Sequence, residues 1–193
     1  MSLDAYSPCP GGTGKKIKFC CNEFLPELQK IDRMLEGEQY LAALSQIDRL
    51  LEHESGRDRA CLLATKCSLL RATKQPEAAQ ATATIFAAKY PNNQIALSEL
   101  AIHAAGTDSR AALGFIQQAI HAADGSLSGR VYQAIGMTAG ALLRDGLPRP
   151  ARALLQLQSE IAQQDRRPWE LLTALTQAAD VPLLLRDDPP ILP

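Results

Sequence analysis

Three cysteines near the beginning of the sequence, Cys9, Cys20 and Cys21, are the residues whose type and spacing offer the clearest chemistry. Turn-forming glycines and several lysines fill the segment between them. Thiolates are strong zinc ligands, and structural zinc sites are almost always tetrahedra closed by four Cys or His side chains. The segment therefore places cysteines, turn glycines and lysines together, ahead of a long helical region.

Residues 9–21, termed the knuckle, resemble the SEC-C motif, a family named for the metal-binding tail of the SecA preprotein translocase. The family reads Cys-x-Cys-x-Ser-Gly-Lys-Lys-x-Lys-x-Cys, followed by Cys or His, and it wraps one zinc ion. The likeness rests on the sequence Gly-Lys-Lys-Ile-Lys-Phe-Cys-Cys at residues 14–21. The resemblance implies that Cys9, Cys20 and Cys21 are zinc ligands.

The knuckle departs from the family pattern at two positions. Gly11 stands where the family has its second cysteine, and Thr13 replaces the usual serine. The fourth ligand would then come from Asp4, His53, a water molecule or a second chain, or else the knuckle has lost its metal. We therefore expect less than one tightly bound zinc per chain, and we expect Gly11→Cys to raise metal retention. A disulfide framework is disfavoured, because the five cysteines are odd in number and two are adjacent.

Composition sets the class of protein. With 193 residues, 46% of them hydrophobic, the chain is long enough for one sizeable core. Its 20 basic and 21 acidic residues leave no charge excess that would predict nucleic-acid binding. Residues 1–8 lack the basic and apolar regions of a secretory signal, and thiols suit a reducing compartment, so we expect a cytoplasmic protein. No apolar run approaches the about 18 residues that a membrane-spanning helix needs.

Apolar residues from Phe24 onward recur at three- and four-residue spacing, which predicts helices and no strand. The first predicted helix runs from Leu25 to the break at Gly37, and the fourth runs from Pro76 to the break at Tyr90. The other predicted helices span residues 40–51, 57–72, 94–105, 109–123, 128–144, 149–164 and 168–179. Their short, Gly- and Pro-containing connections favour antiparallel helical hairpins.

Residues 75–93 resemble the second helix of a tetratricopeptide repeat. In that resemblance Ala79 lets two helices approach closely, Phe86 fills the groove and Pro91 closes the unit. Comparable helices recur at intervals that bracket the tetratricopeptide period. The predicted fold is therefore all-α, with antiparallel helical hairpins stacked as a short tetratricopeptide-like solenoid, and a closed helical bundle is the alternative. The expected domains are a knuckle segment at 1–23, a helical repeat domain at 24–180 and a Pro-rich tail or linker at 181–193.

No other set of residues forms a catalytic or nucleotide-binding pattern. The sequence at residues 12–16, Gly-Thr-Gly-Lys-Lys, lacks the first glycine and the Ser or Thr of a phosphate-binding loop. The three histidines are not at metal-ligand spacing. Cys61 and Cys67 lie six positions apart on a predicted helix, so they point to different sides and are expected to be small packing residues.

These patterns favour a binding protein over an enzyme. The leading hypothesis is a cytoplasmic, non-enzymatic adaptor or scaffold that binds a protein or peptide on its helical-repeat surface, without a cofactor, nucleic acid or membrane. The alternative is a zinc-dependent interaction module in which the knuckle, with one zinc ion, is the docking element. An unrecognised enzyme is a third hypothesis. The lysines of the knuckle are interpreted as solvated turn residues.

Overall fold

The computed structural model describes residues 3–53, 55–56, 58–123 and 127–161. Within these ranges the backbone forms helices and turns, with one isolated antiparallel bridge and no β-strand. The helices are α1 (Ile17–Cys20), a 3-10 turn (Asn22–Phe24), α2 (Leu25–Glu36), α3 (Tyr40–Glu52), α4 (Ala60–Ala72), α5 (Pro76–Lys89), α6 (Gln94–Ala104), α7 (Ser109–His121), α8 (Gly129–Arg144) and α9 (Pro148–Ile161). The predicted all-α class is confirmed.

Local sequence signals explain where several helices begin. Pro76 occupies the first turn of α5, where a backbone N–H would have no helical partner in any case. The Asn93 side chain caps α6 by accepting hydrogen bonds from two backbone N–H groups of its first turn. α4 begins at Ala60 rather than at residue 57, because Asp58 has a left-handed φ of 63° that a right-handed helix cannot include.

The C-terminal part of the chain is described as far as residue 161. The predicted helix at 149–164 corresponds to α9, Pro148–Ile161. The predicted helix at 168–179 and the predicted tail at 181–193 lie outside the described residues.

Consecutive helices pack against each other as hairpins. α2 packs on α3, α4 on α5, α6 on α7 and α8 on α9, through connections such as residues 37–39. The hairpins also stack on one another, as shown by the contacts of α6 with both α4 and α8. This order of contacts is that of a helical-repeat array, in which each unit buries its apolar face against its neighbours.

The knuckle belongs to the same core as the beginning of the helical array. One cluster of buried side chains contains Cys9, Ile17 and Cys21 of the knuckle together with Phe24 and Leu28. The side chain of Ile17 is completely buried in this cluster. The three cysteine positions are therefore fixed by packing against helices and not only by the loop itself.

Phe86→Ala is expected to destabilise the protein by about 3 to 5 kcal/mol, the usual cost of removing a buried ring. Phe86 and the predicted contact residue Ala79 are both 0% exposed, and the ring of Tyr90 lies edge-on to Phe86 at 5.6 Å. The measurement is urea unfolding followed by circular dichroism. The matched control is Ile85→Ala on the same helix, whose side chain is 51% exposed and whose loss is expected to cost less than about 1 kcal/mol. Equal midpoints for the two variants would contradict the packing described here.

Candidate metal centre

The backbone of the knuckle folds back on itself and so brings its two ends together. The N–H of Cys9 donates a hydrogen bond to the carbonyl oxygen of Lys15 at 2.8 Å. Gly12 and Gly14 have left-handed φ values of 65° and 70°, a conformation that glycine adopts without steric cost. The turn that they form returns the chain past Cys9 and leads it into α1, which ends at Cys20.

The three predicted ligand residues converge in space. The sulfur atoms of Cys9, Cys20 and Cys21 all lie within 4.8 Å of one another, and those of Cys9 and Cys21 are 3.6 Å apart. Cys9 and Cys21 are buried, whereas Cys20 is half-buried. Within the part of the chain that the structure describes, this is the one group of such side chains that could hold a metal ion.

The spacing of these sulfur atoms suits a zinc ion. A tetrahedron with zinc–sulfur bonds of about 2.3 Å has sulfur–sulfur edges of about 3.8 Å. The observed 3.6 Å between Cys9 and Cys21 is close to this edge length. A set of thiol donors also excludes Mg²⁺ and Ca²⁺, which require oxygen ligands.

Two hydrogen bonds from the knuckle itself are directed at the sulfur atoms. The backbone N–H of Gly11 donates to Cys9 Sγ at 3.4 Å, and the Thr13 hydroxyl donates to Cys20 Sγ at 3.2 Å. Such donors stabilise the thiolate form and orient the sulfur atoms, as outer hydrogen bonds do in metal sites. Thr13, which replaces the serine of the SEC-C pattern, therefore contacts the cluster through its hydroxyl.

The thiols share protons unequally. Hydrogen bonds from the Cys21 and Cys61 thiols hold the pKa of the Cys9 thiol well below its ordinary value. The same contacts with Cys61 and Cys9 raise the pKa of Cys21, and burial raises the pKa of Cys20. Negative charge therefore concentrates on Cys9, and binding of a dication would replace the remaining protons.

A fourth cysteine lies beside the cluster. Cys61, the second residue of α4, is 1% exposed and belongs to the same cluster of buried side chains as Cys9 and Cys21. The helical spacing correctly separates it from Cys67, which is buried elsewhere and whose pKa burial raises to about 12. Cys61 is buried as expected, but the sequence contains no signal that its packing partners are the knuckle cysteines.

Gly11 is in direct contact with the first turn of α4. A Cβ atom at this position would lie 2.4 Å from the carbonyl carbon of Ala60 and 2.5 Å from the backbone nitrogen of Cys61. Such distances are far below van der Waals contact, and both atoms belong to the backbone. The expectation that Gly11→Cys completes the metal site is therefore wrong, because the new side chain has no space beside α4.

Asn93 ties the knuckle to the helical array, a role that the sequence did not reveal. Its side-chain amide donates to the carbonyl oxygens of Gly11 and Gly12, at 2.7 Å and 3.1 Å. The oxygen of the same amide caps α6 by accepting from the N–H groups of Ile95 and Ala96. Asn93 thus holds the knuckle and the start of α6 in one geometry.

The side chains considered as a fourth ligand from sequence are not part of the cluster. The Asp4 carboxylate instead accepts hydrogen bonds from the backbone N–H groups of Tyr6 and Ser7 on an exposed turn. His53 is the residue that follows the C-terminus of α3. Neither residue belongs to the group of side chains that could share a metal ion with the three cysteines.

The surface next to the cluster is aromatic and basic. Tyr6 is 63% exposed and Phe19 is 69% exposed. The ammonium group of Lys18 lies 5.4 Å from the ring centre of Tyr6 and 5.6 Å from that of Phe19. An open cavity of about 760 Å³ adjoins this surface, and the side chains of Lys15, Phe19 and Cys20 contribute to its wall.

Fold and site together define an all-helical array that carries a cysteine cluster able to hold a metal ion. Comparisons of the chain with protein-family models, with curated proteins and with solved structures gave no significant match. Among the described residues, no helix has the length and apolar character required to cross a lipid bilayer.

Proposed function

We propose that this protein is a zinc-dependent interaction module in which one structural zinc ion fixes the knuckle on the helical array. The observation that supports the proposal is the convergence of the Cys9, Cys20 and Cys21 sulfur atoms. A zinc site whose protein ligands are thiolates and whose four positions are all filled would serve structure rather than catalysis, because catalytic zinc needs an open position for water or substrate. The protein would accordingly be non-enzymatic, and its thiols would require a reducing compartment such as the cytoplasm.

The proposed docking surface is the exposed part of the knuckle. Lys16 and Lys18 lie beside the exposed rings of Tyr6 and Phe19, and Lys15 lines the adjoining cavity. A segment that combines acidic and apolar side chains would match this surface by charge and by aromatic contact. The zinc ion would not touch such a partner, and its effect would be to hold the loop that presents these side chains in one conformation.

The convergence of the cysteines replaces the sequence-based expectation of less than one zinc per chain, and the purified, untagged protein is now expected to contain one zinc ion per chain. Elemental analysis against protein concentration measures this ratio, and dialysis against a strong chelator provides the metal-free control. Readdition of zinc should restore both the ratio and the protection of knuckle backbone amides from hydrogen exchange. A ratio near zero after purification in the presence of zinc would exclude the proposed function.

A zinc-independent adaptor is the second candidate, and a groove on the helical array supports it. A cavity of about 430 Å³ is lined by residues of α2, α4 and α8, including Ile31, Ser68 and Arg130. The two candidates differ in what controls binding. If proteins retained by the immobilised chain are released by a chelator, the zinc-dependent module is supported. If they are retained equally without zinc, the groove is the better site.

A further inference from the structure

We infer that Cys61 is the fourth zinc ligand, so that the metal joins the knuckle to the first turn of α4 instead of closing the knuckle on itself. The inference rests on the proposed zinc function and adds to it the missing ligand. It also changes the role of the metal, because loss of zinc would then detach the knuckle from the helical array. The four donors would be Cys9, Cys20, Cys21 and Cys61.

The position of Cys61 is that of a ligand. Cys61 is buried in the same core cluster as Cys9 and Cys21, and it lines the same cavity as Cys20. Its sulfur is not among those that all lie within 4.8 Å of one another, so binding of zinc would draw α4 and the knuckle closer together. Structural zinc requires four donors, and the three knuckle sulfur atoms leave one corner of the tetrahedron open. Cys61 is the second residue of α4, so its side chain is carried by the helical turn that packs directly on Gly11 of the knuckle.

The packing of the knuckle on α4 keeps Cys61 in this position. The backbone of Gly11 lies against the backbone of Ala60 and Cys61 so closely that no Cβ atom fits between them. Asn93 holds the Gly11 carbonyl oxygen through a hydrogen bond of 2.7 Å. The glycine and the asparagine together hold the first turn of α4 against the knuckle.

Cys61→Ser tests the assignment, and Cys67→Ser is the matched control, since both cysteines are buried on α4. Zinc affinity is measured by competition with a chromophoric chelator. Removal of a residue that only hydrogen-bonds to a metal ligand weakens metal binding by up to about 100-fold. Loss of a direct ligand is expected to weaken zinc binding by at least this factor. Cys67→Ser is expected to leave the affinity of the unmodified chain unchanged.

Cobalt substitution of the unmodified protein counts the thiolates without depending on whether a variant folds. The intensity of thiolate-to-cobalt charge-transfer absorption increases with the number of bound thiolates, and four are expected. A spectrum of three thiolates, or unchanged affinity in Cys61→Ser, would overturn the assignment of Cys61 and leave the zinc function in place. Absence of zinc and cobalt binding in the unmodified chain would overturn the proposed function itself.

Discussion

Cys9→Ser is expected to abolish the retention of zinc and to lower the stability of the zinc-loaded protein by several kcal/mol. Cys9 is 5% exposed, its sulfur lies 3.6 Å from that of Cys21, and it accepts a hydrogen bond from the Gly11 N–H. A serine hydroxyl is a poor zinc ligand. A hundredfold loss of affinity corresponds to about 2.7 kcal/mol of stability when zinc saturates the site.

Urea unfolding of the unmodified chain and of Cys9→Ser, each with zinc and with chelator, separates the effect of the metal from that of packing. The unmodified chain should lose stability when the chelator is added. The variant should give the same midpoint in both conditions, and its difference from the chelated unmodified chain measures packing alone. Retention of one zinc per chain by Cys9→Ser would contradict the site described here.

Glu99→Leu is expected to destabilise the fold by about 3 to 5 kcal/mol. The Glu99 side chain is 0% exposed in α6 and forms ion pairs with Arg71 of α4 and Arg130 of α8. Burial raises the pKa of Glu99, although Arg130 and Arg71 act in the opposite direction. Desolvation therefore offsets the attraction, and the intact network adds little net stability. Removal of the carboxylate alone is costly, because two partly buried guanidinium groups are left facing each other.

The control for this prediction is Glu23→Leu, which breaks the exposed ion pair of Glu23 with Arg59 at 2.8 Å. An exposed pair contributes less than about 1 kcal/mol. A triple variant that also replaces Arg71 and Arg130 by methionine should recover much of the stability lost in Glu99→Leu. A loss of less than about 1 kcal/mol in Glu99→Leu would show that the network is not buried.

The helices could be predicted from sequence because their signals are local. Apolar spacing and breakers such as Gly37 and Pro76 indicate most helix boundaries without knowledge of the packing. The early start predicted for α4 failed because the left-handed conformation of Asp58 leaves no mark in the pattern of apolar residues. The sequence around Glu99 does not indicate which residues form ion pairs with it, because Arg71 and Arg130 belong to other hairpins.

The candidate site was only partly predictable, because some of its contacts are local in sequence and others form only when distant helices pack. Cys9, Cys20 and Cys21 lie on one short segment, so their convergence follows from the turn glycines and the small number of residues between them. Cys61 and Asn93 approach the knuckle only after α4 and α6 have packed, and no local pattern encodes that contact. Gly11 looks like a lost ligand in the sequence, whereas in the structure it is the residue that allows α4 to approach.

X-ray absorption at the zinc edge, recorded on the protein as purified, tests the central claim most directly, because it identifies the atoms bound to the metal. The account predicts a single shell of four sulfur atoms at about 2.3 Å. A shell dominated by nitrogen or oxygen at about 2.0 to 2.1 Å, or the absence of zinc, would contradict it.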